Sequence, residues 1–225
     1  MYVTVPTPNA STVHSVSAVR QKKSAKSLRN RTFKAGSYLF REGDEAERVY
    51  EVVSGVLRLT RVMENGRRQV IAFGYPGDIV GFPCDGEHHT DCDALTKAEV
   101  VVHSRAALER GEGDPKLHNK LMQAALREIS NMQDHFMMLG RKSASEKVAS
   151  FLAVLSERVG CDIGPYTQVE LPMSRSDIAD FLGLTTETVS RTITQLRKCE
   201  IIALENVHTV VVLKPRALLA MAEGD

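Results

Sequence analysis

Glu187, Ser190 and Arg191 stand at i, i+3 and i+4. On a helix that spacing puts all three side chains on one face within a single turn. The set combines a carboxylate that only accepts hydrogen bonds, a hydroxyl that does both, and a guanidinium that donates along two parallel directions. Such a group suits planar, polar edges: the guanidinium can donate to O6 and N7 of guanine together, and the carboxylate can accept from N4 of cytosine. A solvated, salt-bridged helix face carries the same residue types, and Glu187 and Arg191 are spaced to pair with each other. The surrounding segment decides between these readings.

Residues 172–199 read PMSRSDIADFLGLTTETVSRTITQLRKC. Ser174, three residues before Asp177, is a helix start of the S-x-x-D kind, related to the capping box. Ile178, Ala179, Phe181 and Leu182 supply the buried face of a short first helix. Gly183 falls where a tight helix-to-helix turn needs positive φ, and Thr185 can cap the second helix. On that second helix, 185–198, Val189, Ile193 and Leu196 recur at i, i+4 and i+7 and face the core, opposite Glu187, Ser190 and Arg191. The polar triad therefore sits in the first turns of an exposed helix, where a major-groove reading helix meets base edges. Residues 201–213 predict a β hairpin turning near Asn206, which turns a bare helix-turn-helix into a winged one.

Three further regions must carry this element. Residues 1–30 form a basic tail without apolar period; residues 1–34 hold seven Lys/Arg and no acid. Residues 31–115 show short β texture, with runs such as Val49–Val53 and Val70–Phe73 punctuated by glycines, which predicts a sandwich or barrel. Asn65-Gly66 between two such runs predicts a two-residue hairpin turn. From 116 to 140 the period becomes helical. His118, Met122, Ala125, Ile129, Met132, Phe136 and Leu139 follow an unbroken 4-3-4-3-4-3 spacing, a seam of three heptads that calls for a second copy of the chain. Gly140 is expected to interrupt this helix. Residues 141–225 form the C-terminal head, opening on an amphipathic helix from Ser145 to Leu155. The fold class is thus α+β: a jelly-roll-like double-stranded β-helix, a long dimerisation helix and a winged helix-turn-helix.

Composition excludes much else. The chain has 225 residues, is 43% hydrophobic and 25% charged, and carries a net charge of +1, so it is neither a disordered acidic chain nor a globally basic one. No apolar run reaches the length of a membrane span and no signal sequence opens the chain. Four scattered cysteines at 84, 92, 161 and 199 do not form a disulfide scaffold, and the cytoplasm is the expected compartment.

A glycine-punctuated β roll, a long seam helix and a C-terminal winged helix-turn-helix resemble the CRP/FNR superfamily of bacterial transcription regulators, over residues from about 30 to 220. Leu182–Arg191, reading LGLTTETVSR, matches the family's E-x-x-S-R signature and is similar to the FNR/FixK branch. The resemblance implies a homodimer that binds double-stranded DNA at a two-fold site with TTGA-type half-sites. It also implies activation through contact with RNA polymerase, in a response to oxygen limitation. By resemblance Glu187, Ser190 and Arg191 contact bases, while Ser174, Arg175 and Thr186 contact backbone phosphate or flanking bases.

Departures from the family narrow the effector. The oxygen-sensing members hold an iron–sulfur cluster on closely spaced N-terminal cysteines, and here no Cys precedes Cys84. Cyclic-AMP-binding members place an Arg on the cyclic phosphate. The matching stretch, Gly81–Ala94, reads GFPCDGEHHTDCDA, without Arg or Lys and with four acids. Neither cofactor is expected. Cys84, His88, His89 and Cys92 are metal-ligand types in no standard zinc spacing; adjacent histidines on a strand point to opposite faces. An effector-gated alternative, with haem or metal in the roll, a Cys84–Cys92 disulfide or oxidation at Cys199 beside Arg197 and Lys198, remains the second reading. An enzyme on a cupin-like barrel would need an H-x-H pair that the sequence lacks.

Overall fold

The computed structural model describes residues 30–82, 85–111 and 114–224; most of the basic tail, and Cys84, lie outside the described residues. The expected β domain is a roll of two four-stranded antiparallel sheets. The first contains β1 (Asn30–Phe33), β3 (Arg48–Ser54), β6 (Ile79–Val80) and β8 (Ala98–Ser104), in the order β1-β8-β3-β6. The second contains β2 (Tyr38–Phe40), β4 (Leu57–Val62), β5 (Arg68–Gly74) and β7 (Asp91–Ala94), in the order β2-β7-β4-β5. Inward residues of alternating strands, among them Phe40, Val52, Leu57, Leu59, Ala72 and Val100, form one apolar cluster. The β4–β5 hairpin is present, but not with a two-residue turn. Val62 pairs with Arg68, so residues 63–67 form a five-residue loop in which only Gly66 has positive φ. The Asn65 side chain accepts from the Arg67 amide instead.

A five-residue helix, α1 (Arg105–Glu109), capped by Ser104, leads into α2 (Pro115–Arg141). Asp114 caps α2 and Pro115 sits in its first turn, where its missing N–H costs nothing. Gly140 does not interrupt α2. An exposed glycine costs a helix only about 1 kcal/mol, and the real stop is Ser143, which opens α3 (Ala144–Val159) with a complete capping box to Glu146. The buried side of α2 is Leu121, Ala124, His135 and Met138, turned towards its own chain. The other side leaves Met122, Leu126, Ile129, Met132, Phe136 and Met137 exposed, Phe136 by 76%. His118 leaves the expected seam: its Nδ1 meets the Ala107 carbonyl oxygen at 3.1 Å, tying α2 to α1.

The head contains α3, β9 (Cys161–Ile163), β10 (Tyr166–Glu170), α4 (Arg175–Leu182), α5 (Thr186–Lys198), β11 (Ile202–Asn206), β12 (Thr209–Val212) and α6 (Pro215–Glu223). Its sheet runs β11-β12-β10-β9, so the expected hairpin is half of a four-stranded wing. Roll and head share one core. Val56, Val70, Phe73 and Tyr75 of the roll join Phe151 and Leu155 of α3 and Ile178 and Phe181 of α4. Phe73, Phe151 and Phe181 form a triangle with ring centroids 5.3–6.3 Å apart.

His135 closes this junction from α2, stacked on Phe181 at 4.3 Å. Burial disfavours the imidazolium and brings its pKa down to about 4. Because the folded pKa lies below the unfolded one, the unfolded chain takes up a proton first, and stability falls as pH drops below about 6.5. The loss from this group alone should reach ~2 kcal/mol by pH 5. Chemical denaturation at pH 7 and pH 5 should show that loss in the native protein and a clearly smaller one in His135→Phe, which keeps the stacking but cannot titrate.

Candidate nucleic-acid interface

The helix-turn-helix forms where local sequence places it. Ser174 caps α4: its Oγ accepts from the Asp177 amide at 3.1 Å and the Asp177 Oδ2 accepts from the Ser174 amide at 2.9 Å. Gly183 ends α4 with φ at +63°, a conformation in which a side chain would be strained. The Leu184 amide then donates back to Ala179 at 2.9 Å. Two residues on, Thr185 caps α5, its Oγ1 accepting from the Thr188 amide at 3.1 Å.

On α5, Val189, Thr192, Ile193 and Leu196 are buried, while Thr186, Glu187, Ser190 and Arg191 are exposed. The structure therefore brings the three expected base-reading residues onto one open face, at the end of the helix where backbone N–H groups are unpaired. Glu187 and Arg191 do not pair as their spacing suggested; no ion pair joins them among the described residues. In water an exposed i, i+4 pair gains only a few tenths of a kcal/mol, so both side chains stay free for other partners.

The flanking residues divide. Thr186 is exposed beside the triad, and Ser174 is exposed although its hydroxyl serves the α4 cap. Arg175 is half-buried at the first position of α4, and burial holds its pKa below the usual arginine value. The thiols divide as well. Cys199 is the exposed C-cap of α5, whereas Cys92 lies fully buried in β7, where burial and the flanking Asp93 and Asp91 push its pKa well up. Among the described residues no three His, Cys, Asp or Glu side chains come together as a metal site. His88 is buried and His89 exposed, and both lie in the loop between β6 and β7 rather than on a strand.

One group escaped the sequence reading. Asp177 completes the α4 capping box with Oδ2, but its Oδ1 accepts from Arg58 of β4 at 2.6 Å and from Arg68 of β5 at 2.8 Å. Burial alone would raise its pKa; the bonds from Ser174 and the Arg58 guanidinium outweigh burial and hold it below the usual carboxylate range. The only signal in the sequence was an acid pair, Asp177 and Asp180, on a helix whose other face is apolar.

Comparison with known proteins bears on this geometry. A model of the Crp-like helix-turn-helix domain matches residues 146–221, and a model of the cyclic nucleotide-binding domain matches residues 30–110. The nitrogen fixation regulation protein FixK of Rhizobium meliloti is 36% identical over 190 residues, covering 84% of this chain and 85% of that one. The chain belongs to the CRP/FNR family. It lies near the FixK branch: FixK of Bradyrhizobium diazoefficiens is 41% identical over 84% of this chain and 80% of that protein. The transcriptional activator protein FnrL of Cereibacter sphaeroides is 35% identical over 87% and 81%. The solved structure of FixK2 from Bradyrhizobium japonicum superposes with a TM-score of 0.77 at 34% identity, over 86% of this chain and 96% of that one. The CRP/FNR architecture of roll, long helix and winged head is therefore the architecture of this chain.

Proposed function

We propose that this CRP/FNR chain is a homodimeric, sequence-specific transcriptional activator and not an enzyme. It reads a two-fold DNA site with TTGA-type half-sites through α5. The observation that carries this reading is the exposed Glu187, Ser190 and Arg191 face, backed by a buried Val189–Ile193–Leu196 stripe that holds the helix rigidly on the head. Arg191 donates to guanine and Glu187 accepts from cytosine. Thr186 beside the triad on α5, and Ser174 and Arg175 at the start of α4, contact backbone or flanking bases in this reading. The transcriptional activator FnrL, among the relatives, supports activation, which in this reading proceeds through contact with RNA polymerase in the cytoplasm.

The dimer is supported by the apolar strip left exposed on α2. Met122, Ala125, Ile129, Met132, Phe136 and Leu139 keep the seam spacing, and four of them are large and at least 39% exposed in the single chain. That much apolar surface at heptad spacing is buried most simply by the same strip of a second copy.

Neither cyclic AMP nor an iron–sulfur cluster fits the residues present. The Gly81–Ala94 stretch itself carries four acids and no Arg or Lys to hold a cyclic phosphate. Beside it the interior is packed by rings: His88 stacks on Phe40 at 3.8 Å and Phe40 on Tyr50 at 5.6 Å. A Cβ on Gly81 would already touch all three.

Selection from random DNA with the purified protein tests the reading. Two inverted TTGA-type half-sites should be enriched without added effector, and millimolar cyclic AMP should leave their affinity unchanged. No enriched motif, or binding that depends on cyclic AMP, would overturn it.

A further inference from the structure

The helix-turn-helix is held against the roll by a directional polar joint. From the roll come Arg58, Arg68 and Gln69; from α4 come Asp177 and Asp180. Asp93 of β7 grips Arg58 in two bonds, Nε to Oδ1 at 3.1 Å and Nη2 to Oδ2 at 3.0 Å, and so aims its Nη1 at Asp177. Arg68 reaches Asp177 at 2.8 Å and Asp180 at 2.7 and 2.9 Å. The Gln69 amide donates to the Asp180 carbonyl oxygen. The shared apolar core below would hold roll and head together over a range of angles, since apolar contact has no direction. Planar guanidinium forks on carboxylates do have one. Asp177 is also the third residue of α4 and bonds back to the Ser174 cap, so the joint grips the helix by its capped end, and α4 carries α5 across the Gly183 turn.

In a dimer, two joints in series set how far apart the two reading helices stand. The α2 seam fixes roll to roll, and the α4 joint, beside an ion pair from Arg158 of α3 to Asp78 of the roll, fixes each head to its roll. We propose that Arg58 and Arg68, acting through Asp177 and Asp180, are positioning residues that fix the spacing between half-sites the protein accepts. They touch no base and leave the choice of base to α5. The inference rests on the dimeric DNA-binding reading above.

The test uses Arg68→Ala and Asp180→Asn in the full chain. Both lie at the open edge of the joint, with side chains 35% and 26% exposed, whereas Arg58 and Asp93 are more deeply enclosed. Operators are made with the half-sites one base pair closer or further apart, which displaces and rotates one half-site against the other. The native protein should lose about tenfold or more on either shifted operator, because DNA or protein must be twisted to fit. Each variant should lose less than about threefold for the same shift, while the ranking of single-base changes within a half-site stays that of the native protein. A native-like spacing penalty in both variants would overturn the proposal, as would equal weakening on all three operators, the mark of a merely structural role. Loss of the base ranking, or a native protein that binds no paired site, would instead count against the DNA-reading assignment.

Discussion

Ile129→Asp should convert the protein to a monomer. Ile129 lies in the middle of the exposed strip of α2 and is 54% exposed in the single chain, so the substitution spares the chain's own core. In a symmetric seam it puts two carboxylates against each other and against apolar neighbours. A buried, unpaired charge costs roughly 3–5 kcal/mol, enough to raise the dissociation constant by about a thousandfold. Sedimentation equilibrium should show a folded monomer with unchanged helix content, and Ile129→Leu should remain dimeric. Site-specific DNA binding should fall with dimerisation, because a single head holds only half of the contacts. An Ile129→Asp protein that sediments as the native one does would remove the seam from the account.

Arg191→Ala should lower specific DNA affinity by about 1–3 kcal/mol per half-site, which in a dimer doubles to a loss of roughly tens to tens of thousands of fold. The side chain is exposed and packs on nothing in the core, so folding and dimerisation should be untouched. Binding to random DNA, which depends on phosphate charge and released counterions, should change little by comparison. Glu187→Ala should behave differently. A carboxylate near DNA phosphates is repelled, so its removal leaves overall affinity nearly unchanged while relaxing the choice of base opposite it.

How legible each part was follows from the range of the interactions that make it. The α4–turn–α5 unit is built from contacts three to five residues apart: Ser174 with Asp177, Ala179 with Leu184, Thr185 with Thr188. Caps, the Gly183 turn and the buried stripe of α5 could all be read directly. The exposed strip of α2 was equally plain in its spacing, although His118 turns to α1 instead. Where short-range rules compete, the reading failed. Gly140 looked like a stop but lies inside α2, and Asn65-Gly66 looked like a two-residue turn but sits in a longer loop. The β9 strand is three exposed residues, Cys161–Ile163, with no alternation to betray it. The joint between roll and head was invisible for another reason. Arg58 and Arg68 meet Asp177 across 119 and 109 residues of chain, and an arginine in a strand carries no mark of a partner so far away.

The central claim, that α5 chooses the base sequence through Arg191 and Glu187, is tested most directly by one matrix of affinities. The native protein, Arg191→Ala and Glu187→Ala are each titrated against every single-base change in one half-site, at fixed salt. Each variant should lose discrimination at one base pair, the two affected pairs should be neighbours, and preferences elsewhere in the half-site should be kept. If Arg191→Ala weakened every sequence by the same factor, Arg191 would be holding phosphate, and the assignment of base reading to this face of α5 would be contradicted.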